Sequence, residues 1–213
     1  GNGTQACASC HLQAHAFTES LSTSIGSTGE VHPRNSSTLT NAAYNTTFNW
    51  ANPGLRELEA QHITPIVGTD PVIELGVNDG NRDAVLQRFR DDPLYQRLFA
   101  AAFPGETNPY TLNHIVNAIA SFSRTLLSYR APFDRFAAGE RTALSDSAQR
   151  GLALFNSDRL ECGQCHGGFN FSDSTRVQGN ENPIFHNTGL YNIALSADGI
   201  GDNYPDGNQG QFD

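Results

Sequence analysis

Cys7-Ala8-Ser9-Cys10-His11 and Cys162-Gly163-Gln164-Cys165-His166 are two copies of one pattern, and together they hold all four cysteines of the chain. The pattern is C-x-x-C-H, the attachment signature of c-type haem. Residues i and i+3 share a face of a helical turn, so both thiols of a copy reach the two vinyl groups of one porphyrin. The adjacent histidine then lies under the iron as proximal ligand, which assigns His11 to a first haem and His166 to a second. Two disulfides, or one zinc site made of both C-x-x-C pairs, would also use four cysteines, but neither asks for a histidine directly after each pair. Two covalently bound haem c groups are therefore expected. Haem of this type is attached outside the bacterial cytoplasm, so the expected compartment is the periplasm or the cell surface.

Outward from the motifs, the 213 residues are enough for one large or two small domains with a real core. Thirteen basic residues, every one an arginine, stand against 22 acidic ones for a formal charge of −9. That is the wrong sign for a surface that tracks phosphates, so nucleic acid is excluded, and a charge-steered partner should be basic or neutral. No run approaches the ~18 apolar residues of a membrane span, and collagen-like and long coiled-coil readings fail on composition. There is no methionine, a common iron ligand in electron-transfer haem proteins, so these residues cannot supply that ligand. The chain opens at Gly1 without a charged and apolar leader, and its amino end is expected to be processed or incomplete.

Between the motifs the pattern is helical, joined by Gly, Pro and Asn loops, and the expected fold class is mainly α. Leu112, Ile115, Val116, Ile119, Phe122 and Leu126 recur at three- and four-residue intervals, with Thr111 as the cap. Val85, Leu86 and Phe89 lead to Pro93, and Leu94, Leu98, Phe99 and Phe103 lead to Pro104-Gly105. Leu55 and Leu58 suggest a shorter helix after Asn52-Pro53-Gly54, and Ser145 with Gln149 starts another that carries Leu152 and Phe155. From about Asn180 the chain reads as loop to its end. The distance between the motifs suggests two haem domains, residues 1–137 and 138–213, divided near Phe136 to Gly139, the second expected to be incomplete at its carboxy end.

Several stretches in fixed order resemble the bacterial di-haem cytochrome c peroxidase superfamily. They are Ala6 to His11, Arg34-Asn35, Thr38 to Asn45, Leu58-Glu59-Ala60-Gln61, Glu74-Leu75-Gly76, Ala120 to Leu126 and Gly151 to Phe155. Phe185-His186-Asn187-Thr188-Gly189-Leu190-Tyr191-Asn192 looks most like the MbnH and MauG-like branch, whose members oxidise aromatic residues of a partner protein. The resemblance implies two cytochrome c-like haem domains. In it the amino-terminal haem meets peroxide and the carboxy-terminal haem transfers electrons. Classical members carry a distal histidine where this chain has Ser27, so the first iron is expected to be open, with His32 as the competing ligand.

The same resemblance implies Glu74 as the base that moves a proton between peroxide oxygens and Gln61 as a distal amide. Trp50, the only tryptophan, is implied as a relay between the haems, and Asn35 as a ligand to an interdomain calcium. Residue by residue the plainer alternatives are a surface carboxylate, a helix-surface amide, a core indole and a turn-closing asparagine. His15 is a candidate to face a haem propionate, His62 and His114 read as helix-surface or packing residues, and His186 is a possible ligand to the second haem. The sixth ligand of that haem is expected beyond Asp213.

Three functions follow. The first is a hydrogen-peroxide-dependent oxidoreductase whose high-valent di-haem state draws electrons from Trp-like residues of a periplasmic protein, possibly a copper-binding one. The second reduces hydrogen peroxide with electrons from a small cytochrome or copper protein. The third is a di-haem electron carrier without peroxide chemistry, against which Ser27 and the Glu74 and Gln61 pair argue.

Overall fold

The computed structural model describes residues 2–48 and 54–184. It divides into two units: residues 1–39 with 48–125, and residues 40–47 with 126–213. Among the described residues the regular structure is helical, and the only β-pairings are isolated bridges such as Leu12 with Thr18 and Ile25 with Val31. No helix there is long and apolar enough to cross a membrane.

In the first unit the helices are α1 (Cys7–Cys10), α2 (Leu58–Val67), α3 (Arg82–Asp91), α4 (Pro93–Ala102) and α5 (Leu112–Ser123). α5 forms where its apolar spacing runs, and the Thr111 hydroxyl accepts the amide N–H of His114 at 3.1 Å to cap it. Its buried side carries Ile115, Val116, Ala120 and Ser123. Phe122, grouped by periodicity with the apolar face, is instead 58% exposed. Small residues take the buried positions here, and Ser123 receives a polar partner from α2. Leu126 lies outside the helix, since its carbonyl accepts the amide N–H of Asn41 in the second unit's chain segment.

α3 and α4 are separate because Pro93 has no N–H to continue a helix. At the first position of α4 it costs nothing, and the Asp92 carboxylate caps the amide of Leu94 at 2.8 Å. α5 contributes to two cores, one of Ile66, Val77 and Val116 and one of Leu86, Phe99 and Ile115. Full burial of such side chains stabilises by about 1.5–3 kcal/mol each.

The second unit holds α6 (Pro132–Ala137) and α7 (Asp146–Phe155), the latter capped by Ser145 through the amide of Ala148. Residues 40–47 join it by hydrogen bonds that no local pattern encodes. The Asn41 side chain both donates to Ser128 O (3.1 Å) and accepts from Ser128 N (2.8 Å), Tyr44 O accepts from Arg176 N (2.8 Å), and the Thr46 hydroxyl donates to Ser174 O (2.8 Å). Along the chain the second unit takes residues 40–47 and then everything from Leu126 on. The stretch Phe136 to Gly139, read as the divide, is the end of α6 and its following turn.

Candidate functional site

α1 brings Cys7 and Cys10 one turn apart, and its last carbonyl bond, from His11 N to Cys7 O at 2.9 Å, turns the histidine off the helix end. His11 Nδ1 then lies 2.8 Å from Phe17 O. A carbonyl only accepts, so Nδ1 carries the proton and Nε2 keeps its lone pair, as an iron ligand requires. The second motif repeats the device: His166 N bonds Cys162 O at 2.9 Å, and His166 Nδ1 lies 3.3 Å from Phe171 O. Both carbonyls are aimed by a left-handed pair of residues, Ala16 and Phe17 at φ 56° and 60°, and Asn170 and Phe171 at φ 59° and 52°. Such conformations are costly for residues with a Cβ and persist where surroundings over-determine them. The two Phe carbonyls were not singled out in the sequence, although an aromatic residue does follow each motif by five or six positions.

Beside the first motif is a solvent-open cleft of about 190 Å³. Cys7 and Gln5 line it together with the apolar Ile66, Leu75, Val85, Phe89 and Ile119. Its mostly apolar lining suits the face of a flat, apolar cofactor. All four cysteines are free thiols, and no sulfur is spent on a disulfide. Partial removal from water pushes the Cys7 and Cys10 thiols up, and the charge of Glu74 adds to both. Two thiols, an imidazole with its Nε2 lone pair retained and an apolar cleft beside them fit a covalently attached haem.

Glu74 is therefore close to the first motif, and backbone pairing holds it there. Leu75 N bonds Pro65 O (3.0 Å) and Val77 N bonds Ile66 O (2.9 Å), which satisfies carbonyls at the end of α2. From the other side Ser27 N donates to Ile73 O at 2.9 Å, and the Ser27 hydroxyl lies 3.3 Å from the same oxygen. Gly26 permits this approach, because a Cβ there would stand 2.6 Å from Ile73 O. Burial raises the Glu74 carboxyl above its ordinary range.

His32 Nε2 lies 4.0 Å from Glu74 Oε1. Its Nδ1 accepts from Arg34 N at 3.2 Å, so the proton of a neutral ring is on Nε2, toward the carboxylate. Burial depresses the His32 pKa and keeps the ring neutral near pH 7.

Gln61 projects from α2, and its Oε1 is buried with no hydrogen-bond partner. The next residue points into the core: His62 is buried and its Nε2 pairs with the Ser123 hydroxyl at 2.9 Å. His114 packs as the sequence suggested, stacked on Phe103 at 4.0 Å with Nδ1 on Pro109 O at 2.8 Å.

Asn35 is occupied within its own loop. Its Oδ1 accepts the Thr18 hydroxyl (3.0 Å) and its Nδ2 donates to Leu21 O (2.6 Å) and Glu19 O (3.4 Å). Among the described residues no three His, Cys, Asp or Glu side chains group to hold a metal ion. Trp50, His186 and the stretch 185–192 lie outside the described residues.

A family model described as di-haem cytochrome c peroxidase matches residues 1–142. The methylamine utilization protein MauG of Methylorubrum extorquens is 33% identical over 189 residues, covering 89% of this chain and 48% of that protein. The cytochrome-c peroxidase IdrP1 of Denitromonas iodatirespirans is 36% identical, covering 89% and 46%. A crystal structure of a MauG-like protein associated with microbial copper homeostasis superposes with a TM-score of 0.85 at 37% identity, covering 98% of this chain and 62% of that one. The chain thus spans about half the length of the curated relatives it matches.

Proposed function

The chain belongs to the di-haem cytochrome c peroxidase family, and from that premise we propose that it is the peroxide-reactive part of an exported, periplasmic oxidoreductase that draws electrons from aromatic residues of a partner protein. When bound, the two haems supply the irons that take up the two oxidising equivalents of hydrogen peroxide. The chain's own residues attach, orient and manage protons. Cys7, Cys10 and His11 hold the first group, and Cys162, Cys165 and His166 the second. The Phe17 and Phe171 carbonyls fix the ring orientation and tautomer of each histidine.

Glu74 takes the proton from the inner peroxide oxygen and returns it to the outer one, which leaves as water. Its burial brings its pKa toward that of a useful base at neutral pH. The Gln61 amide, the distal amide that the family resemblance implies, orients the peroxide. Ser27, bonded to Ile73 O, offers the iron no ligand, so peroxide binds without prior reduction. Trp50 relays charge between the haems in this reading. The observation that carries this reading is a partly buried Glu74 whose charge reaches the thiols of the first attachment motif; separately, Gln61 ends in a buried oxygen without a partner. The protein described as MauG-like and associated with copper homeostasis favours a copper-binding partner. The relatives named cytochrome-c peroxidase favour a second reading, peroxide reduction fed by a small electron donor.

The test is electron paramagnetic resonance of the intact holoprotein, resting and after one equivalent of peroxide. One high-spin and one low-spin ferric haem whose signals vanish together support the proposal. Two low-spin haems that ignore peroxide until partly reduced refute the open site.

A further inference from the structure

α3, α4 and Tyr110, just ahead of α5, assemble a ladder of aromatic rings beside the first cleft. Phe89 lines the cleft itself. Tyr95 lies edge-on to Phe89 at 4.8 Å between centroids and 6.3 Å from Phe99. Phe99 is 5.9 Å from Phe89 and stacks on Tyr110 at 5.3 Å. One ring thus separates the cleft wall from Tyr95, and Tyr95 is 38% exposed.

Ring contact of this kind couples π-systems, and a phenol gives up an electron far more readily than a phenyl ring when its proton can leave. The two tyrosines of the ladder differ in that respect. Tyr110 is half-buried, and the Arg90 guanidinium stands 6.0 Å over its ring, where a cation opposes the loss of an electron. Among the described residues nothing hydrogen-bonds the Tyr95 hydroxyl, and solvent is at hand to accept its proton.

We propose that Tyr95 is a surface redox site at which oxidising equivalents from the first cleft leave the protein, reached through Phe89. The proposal rests on the peroxide reading above. Each Tyr95 gives one electron to the peroxide-oxidised centre and its phenolic proton to water, leaving a neutral phenoxyl radical. With a phenolic or aromatic donor at the surface, the radical is reduced by hydrogen-atom transfer from that donor. Without one, radicals of two molecules couple into dityrosine, so that one peroxide and two phenols become one new carbon–carbon bond and two waters.

The experiment is peroxide treatment of the holoprotein without donor, read by haem absorption, electron paramagnetic resonance as the ferric state returns, dityrosine fluorescence and peptide mass spectrometry. A tyrosyl signal and a cross-link mapped to Tyr95, lost in Tyr95→Phe and retained in Tyr110→Phe, are expected. An absorption change with Tyr95 unmodified, or equal cross-linking in Tyr95→Phe, overturns the exit while leaving the peroxide reading intact. Haem absorption that does not respond to peroxide overturns both.

Discussion

Replacing Gln61 by Leu should separate stability from function at one position. The buried Oε1 of Gln61 accepts no hydrogen bond, and such an orphan costs about 1–3 kcal/mol relative to an apolar atom in its place. Leu fills a similar volume and is at least as good a helix former in α2. The variant should therefore be more stable by about 1–3 kcal/mol, which for a chain of this size raises Tm by roughly 2–12 °C. In the proposed mechanism the same amide orients peroxide, and loss of one such oriented group typically slows the step by about 10²–10³-fold. Denaturant unfolding of the holoprotein gives the first quantity, and stopped-flow absorption after mixing with peroxide gives the second. A variant destabilised by a kilocalorie or more would mean that the oxygen is satisfied after all. A peroxide rate within about twofold of the parent would remove Gln61 from the chemistry.

Glu74 acts as a base only when ionised, and burial holds its pKa above the ordinary carboxyl value, so the peroxide rate should rise with pH through an inflection above that value. Glu74→Gln should slow the reaction by about 10²–10⁴-fold and abolish that inflection while leaving both haems attached; a pH–rate profile superimposable on the parent's would exclude the role. Gly26→Ala places a methyl 2.6 Å from Ile73 O and must push apart the two segments that seat Glu74. It should cost about 1–3 kcal/mol in unfolding free energy and lower the peroxide rate as well, and a fully stable, fully reactive variant would show that the contact does not hold Glu74 in place.

Much of the fold could be read directly from residue spacing. The Thr111 and Ser145 caps, the break at Pro93 and the helical runs through Val85 to Phe103 all appear where the pattern places them, because caps, proline and the helical period act over three or four residues. The same locality explains the misses. Phe122 matches the apolar period of α5 but faces outward, since the partner helix chooses Ala120 and Ser123 for close approach. Residues 40–47 carry no local mark of belonging with residues 126–176, because Asn41, Tyr44 and Thr46 make that choice through long-range hydrogen bonds.

By itself the sequence determined the chemistry that fits within a turn of chain: two thiols at i and i+3, a histidine beside each pair, and a family resemblance that the comparisons bear out. Tertiary structure alone decided that Glu74 meets His32 and lies near Cys7 and Cys10, that Gln61 ends in a buried oxygen without a partner, and that Tyr95 is one ring from the cleft. The physical reason is range. A helical turn constrains only its neighbours, whereas burial, desolvation and ring contact depend on which distant segments the backbone bonds at Ile73, Leu75 and Val77 bring together.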